Sequence, residues 1–316
     1  MYALTLWTVV TLVFLLPRLM PGDPIAALQD PSSGSFVADD QTRARLEAYY
    51  GLDRPVAEQY LHYLAGAASG DLGWSIRLNT PVSELIATHL PWTLAMTVPS
   101  LLLASLLTVF AGAHAAWVRG SRTDRALLLL FTGMRTVPVF FLGVLALFLF
   151  GAQLQWLPLA GSSTPFRSWP SAWDQAVDLF SHWLLPASLL TLELVGGRFL
   201  LMRNGMLSVL GEDFMLVARA KGLSERSLKY RHGLRNALLP FFTAFSAQLG
   251  FAAAGAIFIE TLFAYPGMGR LMFDAVGARD YPVLEGTFLL VAVSVLSVNL
   301  ATDALYGRLD PRTRES

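Results

Sequence analysis

The residue types that could carry out chemistry are sparse in this sequence. It contains no cysteine, which excludes disulfides, thiolate metal sites and a cysteine nucleophile. The five histidines lack the spacing of metal ligands. A phosphate-binding P-loop needs Gly-Lys followed by Ser or Thr, and neither Lys221 nor Lys229 has that neighbour. The sequence therefore predicts no catalytic residue, no metal site and no cofactor bound by this chain.

One compact segment stands out for its basic charge. Between Val217 and Pro240 the sequence reads VARAKGLSERSLKYRHGLRNALLP and lies between two apolar stretches. Residues 211–221 are typical of a helix with acidic residues in its first turn and basic residues in its last, which suits the helix dipole. Gly222 is expected at the C′ position that ends this helix, and Ser224 is expected to cap a second one. We therefore predict a helix, a glycine turn and a helix.

Small residues are concentrated near the turn of this hairpin. Ala218 and Gly222 are four positions apart and leave little side chain on one helix face, and Ala220 lies nearby. Two interpretations are open at this point. Another protein could approach the backbone closely on that face, or the basic hairpin could bind anionic lipid.

The composition indicates that the hairpin is joined to membrane-spanning helices. Hydrophobic residues make up 54% of the 316 residues and charged residues only 15%, which is too apolar for an ordinary soluble domain. The 23 basic and 23 acidic side chains give no net charge, so nothing favours nucleic acid as a partner. We predict an all-α polytopic membrane protein with about six transmembrane helices. The expected spans are residues 2–16, 92–117, 135–156, 183–202, 238–263 and 284–306.

The placement of Lys and Arg predicts how the chain is oriented. Basic residues are concentrated in the loop 203–237, which is therefore expected to be cytoplasmic, whereas the segments after the third and fifth spans are expected outside. Both termini then lie in the cytoplasm. The predicted parts are a first helix whose start we expect to be clipped (1–20), an extracytoplasmic helical segment (21–91), a five-helix core (92–308) and a cytoplasmic tail (309–316).

The order of motifs along nearly the whole chain resembles one family. The stretch ARAKGLSERSLKYRHGLRNALLP is similar to the cytoplasmic signature loop of ABC importer permeases, especially the dipeptide and oligopeptide (peptide/nickel) branch. Further motifs similar to that branch follow in order. They are PGDP (21–24), YGLDRP (50–55), GDLGWS (70–75), PVSELI (81–86), RTVPVFFLG (135–143), ETLFAYPGMGRL (260–271) and DPR (310–312).

The resemblance implies a type I ABC importer permease-like fold in the bacterial cytoplasmic (inner) membrane. It also implies a heterodimer with a sister permease, two ATP-binding subunits that use ATP and Mg²⁺, and an extracytoplasmic substrate-binding protein. In that family the signature loop is a coupling helix that docks on an ATPase subunit and moves the spans between outward- and inward-open states. The coupling residues implied here are Glu212, Asp213, Ala218, Arg219, Ala220, Lys221, Gly222 and Leu223.

Glu193 departs from that family pattern, together with the glycine pair at 196–197 in LELVGGRF. An acidic residue inside a span is costly, so it usually faces a cavity or a partner. Two interpretations are open. Glu193 lines the translocation path and attracts the amino terminus of a peptide, or it pairs with Arg198 or Arg203.

A second candidate region follows the fifth predicted span. The turn Tyr265-Pro266-Gly267 suits a re-entrant bend, and Glu260 precedes it. The segment is either a packing corner that positions the last two helices or a lip of the outer gate where the binding protein delivers its solute.

Other functional classes make different demands on the sequence. An ion-coupled secondary carrier needs ionisable residues at mid-membrane and repeats of broken helices, and only Glu193 meets the first demand. A membrane enzyme needs a nucleophile, base or metal constellation, and a channel needs a selectivity filter; neither motif is present. The resemblance implies the permease subunit of an ATP-driven importer and favours di- or oligopeptides as the solute, while nickel chelates, glutathione and other small solutes stay open.

Overall fold

The computed structural model describes residues 2–19, 25, 40–254 and 256–309. Within these ranges every regular element is helical, and the only β contact is an isolated bridge between Trp74 and Pro81. The PGDP motif and the DPR motif of the tail lie outside the described residues.

Twelve α-helices follow one another along the described parts of the chain. They are α1 (Tyr2–Leu19), α2 (Asp40–Tyr49), α3 (Val56–Ser69), α4 (Val82–Trp117), α5 (Arg122–Thr136), α6 (Val139–Ala146), α7 (Ala172–Leu210), α8 (Asp213–Ala220), α9 (Arg235–Gly250), α10 (Ile257–Leu262), α11 (Met268–Ala278) and α12 (Tyr281–Leu309). Three segments of other helical types adjoin α6 and α9. A π-helix at Leu147–Gln153 extends α6, another at Ser227–Leu234 leads into α9, and a 3₁₀ turn at Phe251–Ala254 follows α9.

Three of the described helices, α4, α7 and α12, are each long and apolar enough to cross a bilayer. The α5–α6 pair supplies a fourth span if its two bent halves are taken together, and the shorter apolar segment Leu4–Leu19 lies in α1. The prediction of an all-α membrane protein is confirmed, whereas the count of about six spans is confirmed only in part.

The predicted fifth span, residues 238–263, differs from the structure. It is divided into α9, which ends at Gly250, a 3₁₀ turn, and the short helix α10. The sequence at 252–256 is Ala-Ala-Ala-Gly-Ala, which offers little side-chain packing to hold a helix straight. The prediction of one continuous helix there is therefore wrong.

The predicted third span also contains a break. The axes of α5 and the helical segment 139–153 differ by 87°. Proline disfavours the helical conformation in the residue before it, and Val137 accordingly has an extended backbone with φ −90° and ψ 123°. Pro138 is the N-cap residue of α6, which starts at Val139.

Close packing of α4 against α7 forms the centre of the bundle. A Cβ atom at Gly112 would lie 3.0 Å from both the Cβ of Met202 and the carbonyl oxygen of Phe199, so glycine lets the two helices approach closely. On the other side of the molecule α1 packs on α12, and the Arg18 guanidinium forms an ion pair with Glu285.

The predicted extracytoplasmic segment contains the two short helices α2 and α3, with the chain turning at Gly51, where φ is +65°. The loop that follows is fixed to the start of α12. The buried Asp280 carboxylate accepts hydrogen bonds from the Ser75 hydroxyl and from the backbone N–H groups of Ile76 and Arg77. This explains why GDLGWS packs in one defined place.

Candidate functional site

The basic segment forms the helical hairpin that its sequence predicts. Helix α8 ends at Ala220, Gly222 has the left-handed φ of +74°, and the Ser224 hydroxyl accepts a hydrogen bond from the Ser227 N–H at 3.4 Å. Glu212 is the N-cap residue and Asp213 lies in the first turn. We call residues 211–234 the coupling hairpin.

The coupling hairpin has its own small hydrophobic core. Met215, Ala218 and Leu228 are buried together, and Trp117 and Leu210 pack against them. Ala218 is therefore covered by its own chain, whereas Ala220 and Gly222 are exposed, and docking of a partner at these small residues stays a prediction. A sequence pattern shows which residues share a helix face but not which face the rest of the fold will cover.

The face of α8 that is open carries large apolar side chains. Leu216 is 76% exposed, Val217 51% and Phe214 41%. Ala220, Leu223 and the charged residues Arg219 and Lys221 are also exposed beside them. An apolar patch of this kind, rimmed by charge, is typical of a protein-binding surface.

Polar and close-packed contacts join the coupling hairpin to the helices of the bundle. The buried Lys229 ammonium donates a hydrogen bond to His114 Nδ1 on α4 at 2.9 Å. A Cβ at Gly233 would meet the Met206 methyl group of α7 at 2.6 Å. A displacement of the hairpin must therefore act on α4 and α7 directly.

A buried ion pair holds the neighbouring ends of α5 and α7 together. Arg203 of α7 donates from Nε and Nη2 to the two carboxylate oxygens of Asp124 on α5, at 2.8 and 2.9 Å. Asp124 also accepts from the Gly120 N–H, while its own N–H bonds to the Ser121 hydroxyl that caps α5. Arg203 is therefore paired with Asp124, and not with Glu193 as one interpretation of the sequence held.

Glu193 belongs to a face of α7 that no other part of the described chain covers. Gly197, Leu201 and Asn204 follow it at helical spacing, and all four residues are exposed. Arg198 is buried and donates to the Ser105 hydroxyl at 3.2 Å, so the second suggested partner of Glu193 also points elsewhere. A polar face on a spanning helix is expected to contact protein or water rather than lipid.

The glycine pair beside Glu193 has two different structural roles. A Cβ at Gly196 would lie 2.8 Å from the Phe131 carbonyl oxygen and 2.9 Å from Arg135 Cβ, so glycine brings α5 close to α7. A Cβ at Gly197 would have no neighbour within 4 Å.

This difference gives a testable pair of variants. Gly196→Ala is expected to lower the free energy of unfolding by roughly 1–3 kcal/mol because its methyl group overlaps α5. Gly197→Ala should be neutral or stabilising by up to about 1 kcal/mol, since alanine is the better helix former. Thermal unfolding of the two purified variants measures this, and equal melting temperatures would contradict the packing described.

The second candidate region, which joins α10 to α11, is a buried corner. The Glu260 carboxylate accepts hydrogen bonds from the Thr93 hydroxyl at 2.9 Å and the Arg270 N–H at 3.1 Å, at the start of α11. Tyr265 is buried against Trp92, and burial followed by the nearby Glu260 charge raises the pKa of Tyr265 to about 12. Pro266 and Gly267 complete the turn into α11. These contacts support the packing-corner interpretation, and a role in an outer gate stays a prediction.

Comparison with known proteins identifies the family. A family model described as "Binding-protein-dependent transport system inner membrane component" matches residues 108–315. The chain belongs to this family. It is a permease component of a transport system and a multi-pass protein of the inner membrane, as its apolar helices also indicate.

Full-length relatives of this permease carry names that refer to peptide transport. The chain is 35% identical to a glutathione transport system permease protein of Escherichia coli O6:H1, with 98% of this chain and 95% of the relative covered. It is 39% identical to a putative peptide permease protein of Brucella ovis over 96% and 93% of the two chains. It is 36% identical to a di/tripeptide transport system permease protein of Pseudomonas aeruginosa over 98% and 95%. The resemblance noted from the motifs is confirmed.

Several residues of the permease's site were not predicted from the sequence. The open apolar face of α8 was missed, although Phe214, Leu216 and Val217 interrupt a polar cytoplasmic segment and could have signalled it. The Lys229–His114 contact joins residues 115 positions apart and has no local signal.

Proposed function

We propose that this permease is the membrane subunit of an ATP-driven importer of di- or oligopeptides. The observation that carries the proposal is the open apolar face of α8, which a partner can bind, on a hairpin joined to α4 and α7. The names of the full-length relatives support peptides as the class of solute.

The proposed complex contains a sister permease, two ATP-binding subunits and an extracytoplasmic substrate-binding protein. ATP hydrolysis takes place on the ATP-binding subunits, because no P-loop is present in this sequence. Both termini of the permease lie in the cytoplasm, on the side of the coupling hairpin. The polar face of α7 lines the translocation path together with the sister permease.

The proposed coupling proceeds through contacts of this chain. An ATPase subunit covers Phe214, Leu216 and Val217, and its movement displaces the coupling hairpin as a rigid body. The Lys229–His114 hydrogen bond transmits that displacement to α4, and the close contact at Gly233 transmits it to α7. Rearrangement of packed helices then opens the path to one side or the other.

Docking is tested by placing a charge on the open face of α8. Leu216→Glu is expected to reduce co-purification of the ATPase subunit from membranes at least tenfold, because a carboxylate would be buried in an apolar contact. Thr123→Glu adds the same charge at an exposed position in the first turn of α5 and should leave co-purification unchanged. Loss of the ATPase in both variants, or in neither, would refute docking at this face, provided that both variants elute as folded protein.

A further inference from the structure

A cavity of about 340 Å³ lies where the α5–α6 helix pair bends, against α7. Five of its seven lining residues have apolar side chains, and the other two supply one carboxylate and one guanidinium. The lining residues are Met134, Arg135, Val137, Pro138, Val139, Leu142 and Glu193.

The two charged side chains of this cavity do not neutralise each other. No ion pair within 4.0 Å and no hydrogen bond joins Arg135 or Glu193 to another side chain among the described residues. Both residues are exposed to this opening, so each charge is accessible to a charged group of a solute.

The backbone around the cavity fixes the spacing of these two charges. Gly196 holds α5 against α7 and thereby places Arg135 beside the turn of α7 that carries Glu193. The break at Val137–Pro138 turns α6 away and opens the space between them. Gly197, one turn beyond Glu193, adds no side chain that would fill the opening.

We propose that this cavity binds a zwitterionic solute, with the Glu193 carboxylate binding its ammonium group and the Arg135 guanidinium binding its carboxylate. This inference rests on the proposed import function and names the feature of the peptide that the permease recognises. Val139 and Leu142 line the same opening and can contact apolar side chains of the solute. A peptide with both termini free satisfies both charges, and a peptide with one blocked terminus leaves one charge unpaired.

The absence of cysteine allows a direct binding assay at this cavity. In the purified full-length permease, Gly197→Cys places a single thiol one helical turn from Glu193. Millimolar glycyl-leucine is expected to slow labelling of this thiol at least threefold, whereas N-acetyl-glycyl-leucine and glycyl-leucinamide should not. Adding Glu193→Gln or Arg135→Gln should abolish the protection, and adding the exposed, distant Glu84→Gln or Arg122→Gln should preserve it.

Uptake by the assembled complex provides a second measurement. Because the binding protein is the same throughout, its preference cancels in the ratio of variant to wild-type uptake for each solute. Glu193→Gln should lower this ratio at least tenfold for the free dipeptide and the amide, and less for the acetylated peptide. Arg135→Gln should lower it for the free and acetylated peptides, and less for the amide.

The outcomes separate this inference from the proposed function. Suppose that the wild-type complex imports dipeptides with ATP, but Glu193→Gln and Arg135→Gln change neither the protection of the thiol from labelling nor the uptake ratios. The zwitterion site is then refuted and the proposed import function stands. If the charge-exchanged Glu193→Arg, Arg135→Glu double variant regains normal uptake, the two residues pair with each other during transport and the inference is overturned. Protection without any ATP-dependent uptake would support the site and refute the importer.

Discussion

Replacing Gly267 by alanine is expected to destabilise the outer end of the permease severely. The added methyl group would lie 2.4 Å from the Glu260 carboxylate and 2.6 Å from the Thr93 hydroxyl oxygen, both of which are buried. It must displace the carboxylate from the hydrogen bonds that it accepts at the start of α11. We expect the free energy of unfolding to fall by roughly 2–4 kcal/mol, the sum of overpacking and an unsatisfied buried acid.

Gly277→Ala provides the matched control for this variant. Gly277 lies in α11, the helix that begins directly after Gly267, and a Cβ there would have no neighbour within 4 Å, so this substitution should be neutral or slightly stabilising. The two variants are compared by their melting temperatures in detergent and their yield in the membrane. A Gly267→Ala protein as stable as the Gly277→Ala protein would show that the corner is not packed as described.

The second large effect is expected at the ion pair between Asp124 and Arg203. Arg203→Met leaves a buried carboxylate without its bidentate partner and should lower the free energy of unfolding by about 3–5 kcal/mol. Adding Asp124→Asn removes the uncompensated charge and should recover a large part of the loss.

A double-mutant cycle measures this coupling. Chemical denaturation of wild type, both single variants and the double variant gives an interaction free energy, which we expect to exceed about 1 kcal/mol for residues in direct contact. Strict additivity of the two substitutions would mean that the pair contributes nothing to holding α5 against α7.

Local signals in the sequence predicted local structure well. Gly222 and Ser224 were identified as the end of one helix and the cap of the next because each acts on neighbouring backbone groups.

Features that depend on distant partners were not predicted. Ala218 faces inward because Leu228 and Trp117 cover it, and nothing near Ala218 in the sequence shows this. The division of segment 238–263 depends on how α9 and α10 pack separately. The bend before Pro138 did have a local cause, but the surrounding apolar run concealed it within an otherwise typical span.

The glycine pair shows how structure can explain a departure from a family pattern. In the sequence, Gly196 and Gly197 differed from expectation without an apparent reason. In the structure, Gly196 allows α5 to contact α7, whereas a Cβ at Gly197 would have no neighbour within 4 Å. Close helix packing therefore explains the first glycine of the pair.

The most direct test of the central claim is to measure which energy source drives transport. The permease, its sister subunit and the ATP-binding subunits are reconstituted in proteoliposomes with the binding protein and radiolabelled glycyl-leucine outside. We predict uptake that requires ATP inside the vesicles, persists when proton and sodium gradients are collapsed, and is lost with Leu216→Glu. Uptake driven by an ion gradient without ATP would contradict this account and would identify the chain as part of an ion-coupled carrier.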